Sequence, residues 1–441
     1  MSEPLPVIVI GAGPVGLAAA AHLRERDLPA RVLEQGATAG AAVRDWGHVR
    51  LFSPWSELVD PAARRLLEPT GWAAPDPERY PTGAGWAADY LQPLADALGV
   101  VEYDARVTGV ARAGRDLVVD AGRDDAPYAV HVATPGGAEV VAARAVVDAS
   151  GTWSTANPLG ADGYPALGEV EHADRIAYRI PDLADPAARD RYAGKHVVVA
   201  GTGASAKTVL VALAALAQEA PGTRVSWLVR RPGLGHTFGG GAEDQLAARG
   251  ALGDRARAAA QSDLVTTRTG FRAARVEADG DRLAVVAEDG QRVGQVDEVV
   301  VTTGFRPDLG FLSEVRLDLD PALQAPTRLA PLIDPNVHSC GTVYPHGAAE
   351  LAQPEAGLYV VGMKSYGRAP TFLALTGFEQ VRSVAATLAG DHEDAARVEL
   401  VLPETGVCGG AGLFDEEESA ASGGCCAPAQ GEVLTVGSSR C

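Results

Sequence analysis

The chain has 441 residues, 46% of them hydrophobic, and a formal net charge of -19 at pH 7. That length exceeds one ordinary domain, and the apolar content is ample for two nucleotide-sized cores. The acidic balance argues against long-range attraction to nucleic acid or an anionic membrane, so any bound anion must be held by local geometry. No apolar run approaches the ~20 residues of a membrane span, and Met1 to Pro6 carry no basic leader. All cysteines fall late, at Cys340, Cys408, Cys425, Cys426 and Cys441, unlike a secreted disulfide framework. A cytoplasmic, reducing setting is the expectation.

Val7 to Ile10 is a short run of β-branched residues, the pattern of a strand buried on both faces of a parallel sheet. Gly11-Ala12-Gly13-Pro14-Val15-Gly16 follows, then a helix from Leu17 to Arg26 and a second strand, Ala30 to Leu33, ending at Glu34. Gly11 permits the tight turn, Gly13 lets a pyrophosphate approach the backbone, and Gly16 lets helix and strand pack closely. Glu34 would accept from ribose hydroxyls. A glycine triplet alone is weak, but strand, triplet, helix, strand and terminal acid in this order specify a dinucleotide-binding unit.

From Val101 to Val147 short alternating segments such as Arg106 to Ala111 and Tyr128 to Val132 predict a β-meander, closed by a buried strand running into Asp148-Ala149-Ser150-Gly151-Thr152-Trp153. A second unit begins with the strand Lys195 to Ala200, then Gly201-Thr202-Gly203-Ala204-Ser205-Ala206 and an alanine-rich helix to about Glu219. Its second strand, Arg224 to Val229, ends in Arg230-Arg231 in place of an acid. Those cations suit a 2′-phosphate and favour NADPH over NADH, the bland alternative being two solvated arginines. A further meander, Val276 to Val293, leads to a strand ending in Thr302-Thr303-Gly304-Phe305-Arg306-Pro307-Asp308.

The last folded part holds the buried strand Gly357 to Lys364 and a helix predicted from about Thr371 to Leu388. Its start could set N–H groups and a positive dipole end beside the pyrimidine side of a flavin. Beyond about Val398 the chain is rich in Gly, Ser, Ala and Glu and predicts a mobile acidic tail.

With these motifs in this order, the chain resembles the two-dinucleotide-binding-domain flavoproteins, the superfamily of flavin-containing monooxygenases and thioredoxin reductase-like enzymes. The resemblance covers roughly residues 5 to 395. It implies an α/β fold of two Rossmann-like domains, each a βαβ parallel sheet plus a β-meander, with the NADPH domain inserted into the FAD domain. The expected division is 1–155 for the first part of the FAD domain, 156–309 for the NADPH domain, 310–397 for the second FAD part, and 398–441 for the cysteine-containing tail. FAD is expected on Gly11, Gly13, Pro14, Gly16, Glu34, Gln35, Trp46, Val107, Gly151, Gly362 and Thr371. NADPH is expected on Gly201, Gly203, Ala204, Ser205, Arg230 and Arg231, with Thr303 and Gly304 at the segment that bridges domains. Gly168, His172 and Tyr178 resemble the fingerprint of the monooxygenase branch, although Ala166 stands where that fingerprint has an aromatic residue.

No cysteine precedes Cys340 and no CxxC occurs, so the thiol-disulfide mechanism lacks its parts beside the flavin. The more natural course is reduction of FAD by NADPH, then oxygen transfer to a soft nucleophile. More narrowly, the segments Trp46 to Trp55, His338 to Thr342 and Tyr366 to Pro370 resemble bacterial flavoproteins associated with arsenic resistance. Cys408, Cys425 and Cys426 would then be soft ligands for a trivalent arsenical. Cys340, Lys364 and Arg368 are catalytic candidates, and Trp46, His48 and Trp55 are candidates for the flavin pocket. Two alternatives stand beside the monooxygenase: an NADPH-dependent thiol or soft-metal reductase using Cys425-Cys426, and a flavin-bound metalloid sensor or metallochaperone. A small-molecule substrate and a homodimer complete the expectations.

Overall fold

The computed structural model describes residues 4–244, 246–337, 346–370, 372–398 and 400. Its architecture is α/β with parallel-sheet cores. Val7–Ile10 is buried along its whole length and sits at the centre of a five-stranded sheet, in the order Leu358–Val360, Ala145–Asp148, Val7–Ile10, Ala30–Leu33, Val101–Glu102. All of these strands run parallel, with Val7 opposite Ala30 on one side and Ala145 on the other. Continuous apolar runs are what such a doubly covered position requires.

A second parallel sheet has the order Val265–Arg268, Arg224–Leu228, His196–Ala200, Glu298–Val301, Ile176–Ala177. All its strands lie, in sequence, between Asp148 and Leu358, so the chain leaves the first sheet, builds the second and returns. Each sheet is accompanied by a three-stranded antiparallel meander: Arg106–Arg112, Tyr128–Thr134 and Gly137–Ala143 with the first, Ala273–Asp279, Arg282–Ala287 and Arg292–Val296 with the second.

Two expectations are corrected, and two strands that were not expected are added. Val101–Glu102 is not part of the meander; it pairs with Val32 and Leu33 as the parallel edge strand. Ile176–Ala177 and Val265–Arg268 are edge strands too short or too polar to stand out in the sequence. The last long helix runs Ala374–Ala389, starting later than Thr371, which lies outside the described residues, as do Cys340, Cys408, Cys425 and Cys426.

A buried cluster ties the first meander to the returning strand. Arg112 Nε and Arg123 Nε donate to Glu355 Oε2 and Oε1 at 3.0 and 2.7 Å. Arg112 also donates to the Ala356 carbonyl and lies over the Tyr128 ring. Burial alone would raise the Glu355 pKa, but hydrogen bonds from the two arginines outweigh it and hold the carboxyl below its ordinary value.

Candidate functional site

The first glycine loop has the three separate uses its spacing implies. Gly11 has φ +98°, a conformation that side-chain-bearing residues rarely adopt. A Cβ on Gly16 would stand 1.9 Å from the Gly11 carbonyl oxygen, so the helix reaches the strand only without a side chain there. At Gly13, by contrast, a Cβ would meet nothing within 4 Å, which leaves an open face. The helix Pro14–Glu25 begins at Gly13 with no side chain capping it, so its first N–H groups are left for an anion.

Glu34 ends the second strand, as the sequence implies, and its carboxylate closes the loop from behind. Ala12 N–H donates to Oε2 at 2.7 Å and Gly36 N–H to Oε1 at 2.8 Å. Burial pushes its pKa up, against the pull of those two donors. Glu34 therefore shapes the loop, and it also lines the cavity on which the loop opens.

The second loop repeats this geometry. Gly201 has φ +123°, and a Cβ there would lie 2.4 Å from the Thr302 carbonyl oxygen; Gly203 is open within 4 Å. The helix Ala204–Glu219 likewise starts without a capping side chain. Other helices of the molecule are closed by their own Asp60 or Asp185. Arg230 donates to the Ala161 carbonyl at 3.3 Å, and partial desolvation, followed by the charges of Arg272 and Arg231, lowers its pKa. Cations crowded in this way favour a bound anion.

Both loops open on one cavity of 1710 Å³. Pockets for a single ligand reach roughly 1,000 Å³, so the space suits two large molecules meeting end to end. Nine lysines and arginines line it against four acids, a local excess of positive charge in a protein of net charge -19. Pro14, Gln35, Val107 and Gly151 line it on the first-loop side, and Ala204, Ser205, Arg230 and Arg231 on the second. Thr303 and Gly304 line it between the loops; Thr303 Oγ1 donates to the Asn157 and Pro158 carbonyls and thus ties the two crossing segments together. The helix Ala374–Ala389 also begins at the cavity, uncapped by any side chain.

Several candidates take other positions. Lys364 does not line the cavity: its Nζ lies 2.6 Å from Asp148 Oδ2, both side chains having no exposed surface, and donates to Ser150 Oγ at 3.1 Å. It pins the turn at Gly362 to the end of the strand Ala145–Asp148. Arg368 does line the cavity. Trp46 lines it as well, whereas Trp55 is a core residue and His48 is exposed outside the lining. In the Gly168 to Tyr178 segment the organising residue is Glu169, which carries no signal in the sequence pattern. It is fully buried and accepts from Leu159 N, Ala166 N and Tyr178 Oη at 2.7–2.8 Å. Gly168 is required next to it, since a Cβ would lie 2.0 Å from the Val276 carbonyl oxygen. His172 enters no such network.

A stack at the crossing segments has no signature in the sequence. Trp153 Nε1 donates to Asp45 Oδ2 at 2.9 Å, the Arg179 guanidinium lies 3.9 Å above the Trp153 ring, and Phe305 packs on that ring at 4.9 Å. Trp153, Arg179 and Phe305 all line the cavity. Among the described residues no helix is long and apolar enough to cross a membrane, and no group of His, Cys, Asp and Glu is placed to hold a metal.

Two glycine loops opening on a shared cavity, on two parallel sheets with meanders, define the class of two-dinucleotide oxidoreductases. The family model described as pyridine nucleotide-disulphide oxidoreductase matches residues 8–328, and the chain belongs to that family. As a member it is an oxidoreductase, and its open glycine positions and uncapped helix starts fit the pyrophosphates of two dinucleotides, FAD and NADPH being the pair expected above. Indole-3-pyruvate monooxygenase YUCCA1 of Oryza sativa subsp. japonica is 32% identical over 203 residues, 46% of this chain and 43% of that protein. The chain thus matches less than half the length of this curated relative.

Among solved structures, the bacillithiol disulfide reductase Bdr (YpdA) from Bacillus cereus aligns with TM-score 0.63 and 19% identity, over 88% of this chain and 99% of that one. The cadaverine monooxygenase DfoA from Erwinia amylovora aligns with TM-score 0.61 and 13% identity, over 92% and 100%. The ornithine N-hydroxylase from Kutzneria sp. 744 aligns with TM-score 0.56 and 17% identity, over 89% and 100%. At these identities the likeness speaks for the fold.

Proposed function

We propose that the protein is an NADPH-dependent flavin monooxygenase that transfers oxygen to a small soft nucleophile, a trivalent arsenical being one candidate. FAD would be carried by residues 1–155 and 310–397 and NADPH by 156–309, in a cytoplasmic enzyme. The observation that carries the reading is chemical: residues 8–328, the whole stretch matching a disulphide oxidoreductase family, contain no cysteine. A thiolate that attacks flavin and exchanges with a disulfide has no residue there to act through.

Bound FAD supplies electron transfer from NADPH and activation of oxygen. The protein's part is to hold and to exclude. The open face at Gly13 and the first turn of Pro14–Glu25 receive one pyrophosphate, and Gly203 with Ala204–Glu219 the other. Arg230 and Arg231 receive the 2′-phosphate. The uncapped start of Ala374–Ala389 would present its positive end to the cavity, where it suits the negative charge that a reduced flavin carries. Trp46, Phe311 and Phe372 in the lining keep water from the reacting region.

The test is aerobic NADPH oxidation by the FAD-loaded protein, with oxygen uptake, peroxide and product measured together against trivalent arsenicals, small amines, organic acids and disulfides. Oxygen and NADPH consumed in equal amounts with oxygenated product support the reading. Peroxide release with every candidate sinks it. Anaerobic turnover with a disulfide, abolished by truncation before Cys408, establishes the reductase instead.

A further inference from the structure

Arg306, and Arg368 from among the catalytic candidates, take no part in the cofactor contacts proposed above, yet both line the cavity. Arg306 follows the strand Glu298–Val301 on the segment crossing between the sheets, and its guanidinium is oriented by neutral oxygens, Asn157 Oδ1 and the Gly163 carbonyl. Arg368 lies beyond the Gly362 turn, its Nε donating to Gln324 Oε1 at 3.0 Å and its backbone N–H to the Leu323 carbonyl at 2.7 Å. Among the described residues no carboxylate forms an ion pair with either one. Neutral acceptors fix the direction of a guanidinium while leaving its charge uncompensated.

Burial, and next the Arg368 charge, lower the Arg306 pKa. Two like charges brought together in a largely acidic protein favour a shared anion. The phosphates of the two dinucleotides already have the glycine loops and the Arg230-Arg231 pair. Leu323, whose carbonyl accepts from the Arg368 N–H, lines the cavity, as do the apolar Phe311, Phe372 and Leu373.

We propose that Arg306 and Arg368 form a carboxylate-binding subsite, so that the substrate is a small organic acid with an apolar body. This rests on the oxidoreductase reading above and adds the substrate's charge and shape. The carboxylate would take the free guanidinium N–H donors, and the apolar body would lie along the phenylalanines. A trivalent inorganic arsenical, uncharged near neutral pH, makes no use of the pair; an arsenical or amine bearing a carboxylate does.

The experiment is calorimetric titration of the oxidised, FAD-loaded protein with phenylpyruvate, phenylacetate and hexanoate, and with the methyl ester of each. At least one acid should bind, its ester roughly tenfold or more weakly, a difference typical of one lost charge-assisted contact. Arg368→Gln should weaken the acid by about tenfold and bring acid and ester together. Arg306→Lys, which retains charge but loses the fork, should weaken it by a smaller factor; it also guards against a folding defect from cutting the Asn157 and Gly163 links. The KM for NADPH should stay unchanged in both variants. Binding of ester and acid alike, no binding of any acid at millimolar concentration, or a shift of NADPH KM without a change in acid affinity would each overturn the subsite. The titration involves neither NADPH nor turnover. Its failure therefore leaves the redox reading standing, and a failure of NADPH to reduce the flavin leaves the subsite standing.

Discussion

The Nζ of Lys364 sits 2.6 Å from Asp148 Oδ2 with neither side chain exposed, and it joins the turn that follows Leu358–Val360 to the end of the adjacent parallel strand Ala145–Asp148. Removing one partner strands the other charge away from water. Lys364→Met should therefore cost about 3–5 kcal/mol of unfolding free energy, and adding Asp148→Leu should recover much of it. Urea denaturation of the two single variants and the double variant measures this. If Lys364→Met left stability unchanged but slowed flavin reduction by NADPH, Lys364 would return to the catalytic candidates.

The glycines of the first loop separate folding from binding. Gly16→Ala places a methyl 1.9 Å from a backbone oxygen, and a helix cannot give way without moving off the sheet; the expected outcome is overpacking of about 1–3 kcal/mol or more and a lowered Tm. Gly13→Ala meets no atom within 4 Å, so the apoprotein should melt as the native one does while FAD is lost on gel filtration. Equal Tm losses for both would count against the open face.

Selectivity between nicotinamide nucleotides should reside in Arg230 and Arg231. Replacing them with Glu and Ser should raise the KM for NADPH by at least about tenfold, with a far smaller change for NADH, because only NADPH offers a 2′-phosphate to a guanidinium. Steady-state kinetics with both nucleotides decides the matter, and equal effects would remove the pair from the site.

Acid lability has an identifiable contributor in Glu355. Its carboxyl is held below the ordinary value of 4.5 in the fold, the bonds from Arg123 and Arg112 overcoming the cost of burial. A depressed carboxyl contributes stability that is present above the unfolded value and is lost as pH falls through the folded one. Stability should thus decline below about pH 4.5, the ordinary glutamate value. Glu355→Gln should be less stable at neutral pH and show a shallower decline in acid. Parallel pH profiles for the two proteins would contradict this account.

The amino-acid order by itself determined the two nucleotide units, because their parts are local: a strand, a glycine loop and a helix within about thirty residues, with positions 11 and 16 restricted by the backbone and position 13 left open. It also determined the absence of thiols from residues 8–328, and so the leaning toward oxygen. Edge strands such as Ile176–Ala177 and Val101–Glu102 were not legible, since two residues carry no period and acquire strand geometry only by pairing with a neighbour already formed. Tertiary structure alone decided which charges face the cavity. Lys364 and Arg368 are four residues apart in the sequence, yet one is sealed against Asp148 and the other lies open beside Arg306. Burial against a distant acid, and not residue type, separates a structural cation from one free to bind an anion.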